Sequence, residues 1–340
     1  MKLKSLDFTY NPTNFFISLF MLFGLFSYGQ TISMGAGVSQ SEGNAGATAF
    51  VFTVNRTGDV SGASSATYSV AGSGVSPSDA TDFTGGVLPG GTVSFLATET
   101  SATITVNVNG DTDVEPAETF EVTLSAPSVG TTIGTATATG TINNDDNAIS
   151  MGTGVSLSEG NAGATAFVFT VNRTGDVSGA SSATYSVAGS GVSPSDATDF
   201  TGGVLPGGTV SFLGGEASTT ITVNVNGDTD VESAETFEVT LSAPSAGSTI
   251  GTATATGTIN NDDNAISMGT GVSLSEGNAG ATAFVFTVNR TGDVSGASSA
   301  TYSVAGSGVS PSDATDFTGG VLPGGTVSFL GGEASTTITV

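Results

Sequence analysis

The sequence repeats itself with a period of 117 residues, and this repeat limits the folds that are open to the chain. Met34, Met151 and Met268 begin equivalent copies, and residues 151–223 of the second copy are identical to residues 268–340 of the third. The period is too long for one unit of a solenoid, whose repeats span about 20–50 residues. A segment of this length can bury a core of its own. We therefore predict that each copy is a whole domain.

Alternating apolar residues predict that these domains are built from β-strands. In the second copy, Phe167, Phe169 and Val171 are spaced two apart, and similar runs follow along the repeat. A period of two puts the apolar side chains of a strand on one face, and no segment shows the 3.6-residue period of a helix. Seven short strands with glycine-rich turns are typical of an immunoglobulin-like β-sandwich. The predicted fold class is all-β, with tandem seven-stranded sandwiches arranged end to end.

The copies follow one another without a linker. Each of the first two ends in Asn-Asn-Asp-Asp, and the next alternating run begins almost at once. We place repeat 1 at residues 30–146, repeat 2 at residues 147–263 and a truncated repeat 3 at residues 264–340. Because the third copy ends at Val340, inside a predicted strand, we interpret the sequence as a fragment of a longer array.

The N-terminus has the pattern of an export signal. Lys2 and Lys4 precede an apolar block at residues 15–26, and small or polar residues follow it. The block is shorter than the roughly 20 residues that a membrane-spanning helix needs. We predict a signal peptide at residues 1–29 and a mature protein that is secreted or displayed on the cell surface.

The composition excludes several classes of function. The chain has a formal net charge of −25 and contains no Cys, His or Trp. Non-specific nucleic-acid binding depends on basic side chains, so this acidic chain is not expected to bind nucleic acid. The usual zinc ligands and disulfides are missing, and so is the histidine that most general acid–base catalysis uses. We expect no enzyme activity, and Ca²⁺, which takes oxygen ligands, is the metal ion that this composition serves best.

An acidic stretch stands out in each complete copy. Residues 109–120 read N-G-D-T-D-V-E-P-A-E-T-F, and a near-identical stretch recurs at residues 226–237. Alternating runs flank both stretches, which predicts strand, turn, strand and places the acids at a loop end of a sheet. If the chain stays extended, Asp111, Asp113 and Glu115 project to one side, because alternate residues of a strand share a face. A cation between them would relieve their repulsion; a solvated acidic turn is the alternative.

One arginine occurs at the same place in each repeat, as Arg56, Arg173 and Arg290. Arg56 is followed three residues later by Asp59. We predict a local ion pair on the surface, which would contribute less than about 1 kcal/mol. Recognition of an acidic ligand is the alternative.

The order of motifs along each copy resembles the Calx-β domain, a family that includes the regulatory domains of the sodium–calcium exchanger. The order is S-E-G, F-x-V-x-R-T-G-D, T-D-F, V-S-F, I-T-V-x-V-x-G-D-x-D-x-E-x-x-E-T-F-x-V-x-L-S and N-D-D. The resemblance covers nearly everything after residue 30. It implies an immunoglobulin-like sandwich and, as in the calcium-binding members, Ca²⁺ ions at one end of the sandwich, next to the following domain.

The resemblance also implies a set of calcium ligands in each complete repeat. In repeat 1 they are Glu42, Asp82, Asp111, Asp113, Glu115, Glu118, Asp145 and Asp146. In repeat 2 they are Glu159, Asp199, Asp228, Asp230, Glu232, Glu235, Asp262 and Asp263. The third copy retains only Glu276 and Asp316. Strong binders often have further acids where Thr112 and Asn144 stand, so we expect a site with fewer charges.

These observations together predict a calcium-binding extracellular module with a structural or adhesive role, in which Ca²⁺ makes the domain junctions rigid. The expected partners are calcium ions, neighbouring repeats of the same chain and a ligand on a cell surface or in a matrix. An accessory, non-catalytic region of a larger secreted enzyme is one alternative. A carbohydrate-binding module is the other, although the lack of Trp argues against stacking on sugars.

Overall fold

The computed structural model describes residues 29–340, whose regular structure is almost entirely β-strand. The helical elements in this part of the chain are two short 3-10 turns, Ala197–Asp199 and Ala314–Asp316. Between residues 29 and 340, no helix has the length and apolar character that crossing a membrane requires. The predicted signal peptide falls on residues 1–29, which, except for residue 29, lie outside the described part of the chain.

The chain forms two compact units. The first unit ends at Asp145, and the second contains Asp146–Val340 together with Thr112–Val114. The second unit therefore includes repeat 2 and repeat 3.

Repeat 1 is a sandwich of two sheets. Its strands are β1 (Gln30–Met34), β2 (Val38–Ser41), β3 (Gly46–Thr57), β4 (Ser64–Gly72), β5 (Gly90–Phe95), β6 (Ser101–Gly110), β7 (Glu118–Ser125), β8 (Thr131–Ile133) and β9 (Thr137–Asn143). One sheet has the order β6-β3-β1-β8 and the other the order β2-β9-β7-β4-β5. The prediction of an all-β, immunoglobulin-like sandwich is confirmed.

Repeat 2 has the same two sheets. Its strands are β10 (Asn147–Met151), β11 (Val155–Ser158), β12 (Gly163–Gly175), β13 (Ser181–Gly189), β14 (Gly207–Phe212), β15 (Ser218–Gly227), β16 (Glu235–Ser242), β17 (Ser248–Ile250) and β18 (Thr254–Asn260). The sheet orders are β15-β12-β10-β17 and β11-β18-β16-β13-β14.

The two complete repeats have nine strand segments each, and not seven, for two reasons. The first strand of repeat 2 is interrupted, and its two parts, β10 and β11, lie in different sheets. The chain crosses between the sheets at Gly154, where a Cβ would lie 2.5 Å from the carbonyl oxygen of Thr256. The second reason is the short strand β17, which pairs in parallel with β10.

Repeat 3 contains five described strands. They are β19 (Asn264–Met268), β20 (Val285–Gly292), β21 (Ser298–Ser303), β22 (Gly324–Phe329) and β23 (Ser335–Thr339). They form a sheet of order β19-β20-β23 and a pair β21-β22. Phe284 and Phe286 are only half-buried here, whereas their counterparts Phe167 and Phe169 are fully buried in repeat 2.

The core of repeat 2 is organised around Phe237 on β16. Its ring contacts Phe167, Phe169 and Phe200 at centroid distances of 5.6, 5.9 and 5.3 Å. Tilted and edge-on pairs at such distances are the favourable arrangements for aromatic rings. Gly257 on the neighbouring strand gives the ring its space, because a Cβ there would lie 2.5 Å from Phe237 Cε2.

The arginine that recurs in each repeat has a structural role, and the predicted surface pair with Asp59 is wrong. Arg56 is only 2% exposed, and its guanidinium lies 5.2 Å from the centre of the Phe95 ring. It donates hydrogen bonds of 2.7–3.4 Å to Ser64 Oγ and to the carbonyl oxygens of Val60, Gly62, Leu96 and Glu99. The arginine therefore ties two turns of the sandwich together from the inside.

Candidate metal centre

The strand register of repeat 2 brings its acidic segments to one end of the sandwich. β12 begins where β15 ends, since Gly163 pairs with Gly227, and Asp228 follows directly. On the other sheet, β16 begins where β18 ends, since Glu235 pairs with Ile259. The turn that carries Glu159 follows β11, which runs parallel to β18. The acidic stretch, the S-E-G turn and the domain end therefore meet because of the topology.

Three carboxylates converge at this end of repeat 2. Glu159, Asp228 and Asp263 each offer an oxygen, and these oxygens all lie within 4.8 Å of one another. Glu159 and Asp263 are 5% and 3% exposed, whereas Asp228 is exposed to solvent. Burial, followed by the neighbouring charge of Asp228, raises the pKa of Glu159 to about 7. The centre thus brings three acidic side chains together in a partly buried environment.

Asp263 shows that the residues fit a cation. Its Oδ1 accepts a hydrogen bond of 2.5 Å from Asn161 Nδ2. Its Oδ2 is buried and has no hydrogen-bond partner. A buried polar atom without a partner costs about 1–3 kcal/mol, and a charged one costs more. A hard cation that takes oxygen ligands would satisfy this atom together with its two neighbours.

A second pair of acids lies beside the first group. The Glu235 side chain is hydrogen-bonded to that of Asp199, and burial together with this pairing raises the pKa of Glu235 to about 7. Asp199 is held by the backbone N–H of Asp196, which donates to its Oδ2 at 2.6 Å. Burial raises the pKa of Glu232 most, and the charges of Asp228 in the first group and of Asp199 in the second raise it as well. Glu232 therefore lies near both groups.

The remaining predicted ligands of repeat 2 lie around this centre. The backbone N–H of Asp230 donates to Asp228 Oδ1 at 2.8 Å, so Asp230 fixes a ligand through its main chain. Its own side chain is exposed. Asp262 Oδ1 accepts from the N–H of Gly160 at 3.1 Å and thereby caps the S-E-G turn. Asp230 and Asp262 are not in the group of three convergent carboxylates.

Repeat 1 has a similar but not identical arrangement. Carboxylate oxygens of Glu42 and Asp145 lie within 4.8 Å of each other, and Glu42 is buried. The next residue, Asp146, is fully buried as well. Glu118 pairs with Asp82, and burial followed by this pairing raises the pKa of Glu118 to about 7.

The acidic stretch of repeat 1 does not contribute to its close group of carboxylates. Asp111 is exposed and is not in that group, unlike its counterpart Asp228 in repeat 2. Asp113 and Glu115 are also exposed. In repeat 3, Glu276 is exposed, and Asp316 accepts from the N–H of Asp313 at 2.8 Å within a 3-10 turn.

Sequence reasoning missed Val231, which lies between two predicted ligands. A Cβ at Gly292 of repeat 3 would lie 2.7 Å from Val231 Cγ1, and Gly292 has a φ of +85° that favours glycine. Next to it, the N–H of Asp293 donates to the carbonyl oxygen of Asp263 at 2.7 Å. Within the second compact unit, the acidic stretch and the domain end of repeat 2 therefore both touch the Arg-Thr-Gly-Asp turn of repeat 3. The signal in the sequence was the apolar residue at the centre of the acidic stretch.

Comparison with known protein families agrees with this description. The family model of the Calx-beta domain matches residues 30–147 and residues 144–263. The chain belongs to the Calx-beta family. Its Calx-beta domains occur in tandem, as the two adjoining matches show. No curated protein matches the chain in sequence.

Solved structures with similar folds include several tandem and single domains. CBD12 from CALX1.2 is 18% identical with a TM-score of 0.34, and the match covers 67% of this chain and 99% of that one. The calcium binding domain CBD12 of CALX1.1 is 19% identical with a TM-score of 0.33, covering 66% and 98%. The apo form of the Calx CBD1 domain is 26% identical with a TM-score of 0.31, covering 35% and 100%.

Proposed function

We propose that the complete Calx-beta repeats bind Ca²⁺ at the acidic end of each sandwich. The observation that carries this proposal is the buried Oδ2 of Asp263, which has no hydrogen-bond partner and lies beside Glu159 and Asp228. These three residues would hold the ion in repeat 2. Glu232 would lie next to them, since the charges of both Asp228 and Asp199 act on it. In repeat 1, the candidates are Glu42, which is the counterpart of Glu159, and Asp145.

Calcium suits this donor set better than other common metal ions. The candidate ligands are all carboxylates, and the chain contains no Cys or His. Ca²⁺ takes roughly six to eight oxygen ligands in flexible geometry, whereas Mg²⁺ demands a stricter octahedron. Exposed members of the set, such as Asp228 and Asp230, leave room for water to complete the coordination. A similar solved domain is described as the calcium binding domain CBD12 of CALX1.1, which supports the choice.

The ion would also act on the junction between repeats. Val231 and Asp263 carry the contacts to Gly292 and Asp293 of repeat 3, and both belong to segments that supply ligands. Fixing these segments around a cation would restrict the hinge, whereas several unneutralised carboxylates would loosen it by repulsion. The proposed consequence is a row of domains that is stiffer with calcium than without it.

The setting that we propose is extracellular, and the role is structural or adhesive, without catalysis. Lys2, Lys4 and the apolar block after them support export. Extracellular modules commonly bind Ca²⁺ with dissociation constants of about 10⁻⁴–10⁻³ M. Such weak sites would be filled outside the cell, where calcium is plentiful. A ligand on a cell surface or in a matrix is the expected further partner.

Calorimetric titration of the chain from residue 30 with CaCl₂ tests the proposal. We expect binding in the millimolar range and a higher melting temperature with calcium than with EGTA. The variant Asp263→Asn should lose the binding of repeat 2. The variant Glu238→Gln, which removes the same charge from a strand of the sheet, should not. The proposal would be refuted if millimolar calcium produced no binding heat and the melting temperatures in calcium and in EGTA were equal.

A further inference from the structure

We propose that Asn261 is a positioning residue of the calcium centre, which holds the acidic stretch against the domain end before the ion arrives. The proposal rests on the proposed function. Asn261 Oδ1 accepts a hydrogen bond of 3.1 Å from the backbone N–H of Glu232. Its Nδ2 donates one of 3.0 Å to the backbone carbonyl oxygen of Asp263. One neutral side chain therefore joins the two segments that supply Asp228 and Asp263.

The chemistry of its two partners explains why an amide occupies this position. A backbone N–H can only donate and a backbone carbonyl can only accept, so the bridging side chain must offer one acceptor and one donor. Asparagine offers both from a short side chain. An aspartate could accept from Glu232, but an ionised carboxylate has no proton to donate to the carbonyl of Asp263.

Something other than a cationic side chain must hold these segments together. The carboxylates repel one another, and the arginine of the repeat, Arg173, uses its donors on Ser181 and on backbone carbonyl oxygens such as that of Gly179. The neutral amides supply the connections instead. Asn161 holds the side chain of Asp263, and Asn226 holds the turn that carries Asp199 by donating to the carbonyl oxygens of Thr198 and Phe200 at 2.8 and 3.0 Å.

Repeat 1 contains the first of these two hydrogen bonds, the one from the acidic stretch. Asn144 Oδ1 accepts from the backbone N–H of Glu115 at 3.2 Å. Asn144 stands at the same place in Asn-Asn-Asp-Asp as Asn261, and Glu115 at the same place in the acidic stretch as Glu232. In both complete repeats, this asparagine therefore accepts a hydrogen bond from the backbone of the acidic stretch.

The connection affects calcium binding through rigidity and not through charge. Both ligand charge and rigidity of the site tune the affinity of calcium sites. A site whose segments are already in place loses less conformational freedom when the ion binds, so it binds more tightly. Asn261 adds no charge, and its removal should weaken binding only by letting the acidic stretch move.

Hydrogen exchange followed by mass spectrometry can test Asn261→Ala in the full chain, with CaCl₂ as the titrant. The peptides of the two acidic stretches have different masses, because Pro116 in repeat 1 is Ser233 in repeat 2. We expect the Glu232 amide of the variant to exchange at least about tenfold faster without calcium, since its acceptor is gone. The calcium concentration for half-protection of this peptide should rise about five- to tenfold. The repeat 1 peptide is an internal standard that should not change.

The matched control is Asn260→Ala. Asn260 is the preceding amide, and it donates to Ser156 Oγ at 2.9 Å, away from the acidic stretch. This variant should leave unchanged both the exchange rate without calcium and the calcium concentration for half-protection. A general loss of stability would instead change both quantities in both variants. If Asn261→Ala also unfolds the core strands of repeat 2, Asn144→Ala in repeat 1 is used instead. In that variant the repeat 1 peptide should show the changes, and the repeat 2 peptide becomes the internal standard.

Each result has a distinct meaning. Unchanged half-protection in a folded Asn261→Ala protein, with wild-type protection by calcium intact, would overturn the positioning role alone. If calcium protects neither stretch in the wild type, the proposed calcium binding itself fails. The exchange rate without calcium would still show whether Asn261 holds the acidic stretch.

Discussion

Replacing Asp263 with asparagine should separate two effects on stability. One is the free-energy cost of the buried carboxylates when no ion is bound, and the other is the stabilisation that calcium binding provides. The change removes a buried negative charge beside Glu159 and Asp228 and keeps an acceptor for Asn161. The new amide nitrogen replaces Oδ2, the atom without a hydrogen-bond partner, and can donate to a neighbouring carboxylate. Without calcium, the variant should therefore be more stable than the wild type, although most changes at buried sites destabilise.

The magnitude follows from the burial of this atom. A buried polar atom without a partner costs about 1–3 kcal/mol. We expect the lower part of this range, about 1–2 kcal/mol, because Glu159 has a pKa of about 7 and is partly protonated near neutral pH, which weakens the repulsion. For a domain of this size, each 1 kcal/mol shifts the melting temperature by roughly 3–6 °C. The variant should thus melt roughly 3–12 °C higher in EGTA.

Calcium should remove this advantage. At a concentration ten times the dissociation constant, one site adds about 1.4 kcal/mol to the wild type. The variant has lost one of its three convergent carboxylates and should gain much less, so the two melting temperatures should approach each other.

Scanning calorimetry on residues 144–266, with EGTA and with about 10 mM calcium, measures both effects. Glu238→Gln serves as the control for loss of one charge. A variant that melts below the wild type in EGTA would refute the reasoning about Oδ2, and an undiminished calcium shift would remove Asp263 from the ligand set.

Three further changes test other features of the molecule. Gly257→Ala should lower the free energy of unfolding of repeat 2 in urea by about 1–3 kcal/mol, because its Cβ would overlap the central phenylalanine ring. Thr98→Gly should raise the stability of repeat 1 by about 0.5–1 kcal/mol, because Thr98 has a φ of +73° that costs a β-branched residue more than glycine. In EGTA, stability should fall as the pH rises from 4.5 to about 7, because the folded state holds protons on Glu159 and Glu235 more tightly than the unfolded chain does. Calcium affinity should rise over the same pH range, since binding requires the ionised carboxylates.

Matched positions provide the controls for these changes. Gly179 has open space around its Cα, so Gly179→Ala should have little effect, and an equal loss at both glycines would contradict the packing argument. Gly215 is the residue of repeat 2 that corresponds to Thr98, and its φ is +89°. Destabilisation by Thr98→Gly would mean that the threonine side chain contributes more than its backbone costs. A calcium-free stability that rises between pH 4.5 and 7 would contradict the raised pKa values.

The sandwich was predictable because its signal is local and repeated. Phe167, Phe169 and Val171 alternate along the chain, and all three are fully buried. The burial of Arg173 could not be read in the same way. Its guanidinium bonds to carbonyl oxygens of residues 177 and 179 on one side and of residues 213 and 216 on the other. Nothing near the arginine in the sequence shows that a turn some forty residues away will close over it.

The candidate site was predictable in its location but not in its geometry. Strand pairing alone carries the acidic stretch, the S-E-G turn and the domain end to one place, and alternation in the sequence is enough to propose that pairing. Which carboxylates converge is decided by side chains on exposed turns, where the pattern of apolar residues gives no information. Asp228 joins the close group in repeat 2, whereas Asp111, within the same motif, does not do so in repeat 1.

Acidic residues mark the site in the sequence, yet uncharged residues determine its shape. Asn161, Asn226 and Asn261 carry no charge and match no ligand pattern, but each one fixes a segment that bears a carboxylate. Their role depends on which backbone groups lie opposite them, and those groups become neighbours only after the strands have paired. In an acidic centre without a nearby cationic side chain, the amide is the side chain that can bind both a carboxylate and a backbone carbonyl without adding to the repulsion. The affinity of such a centre should therefore depend on its asparagines as well as on its acids.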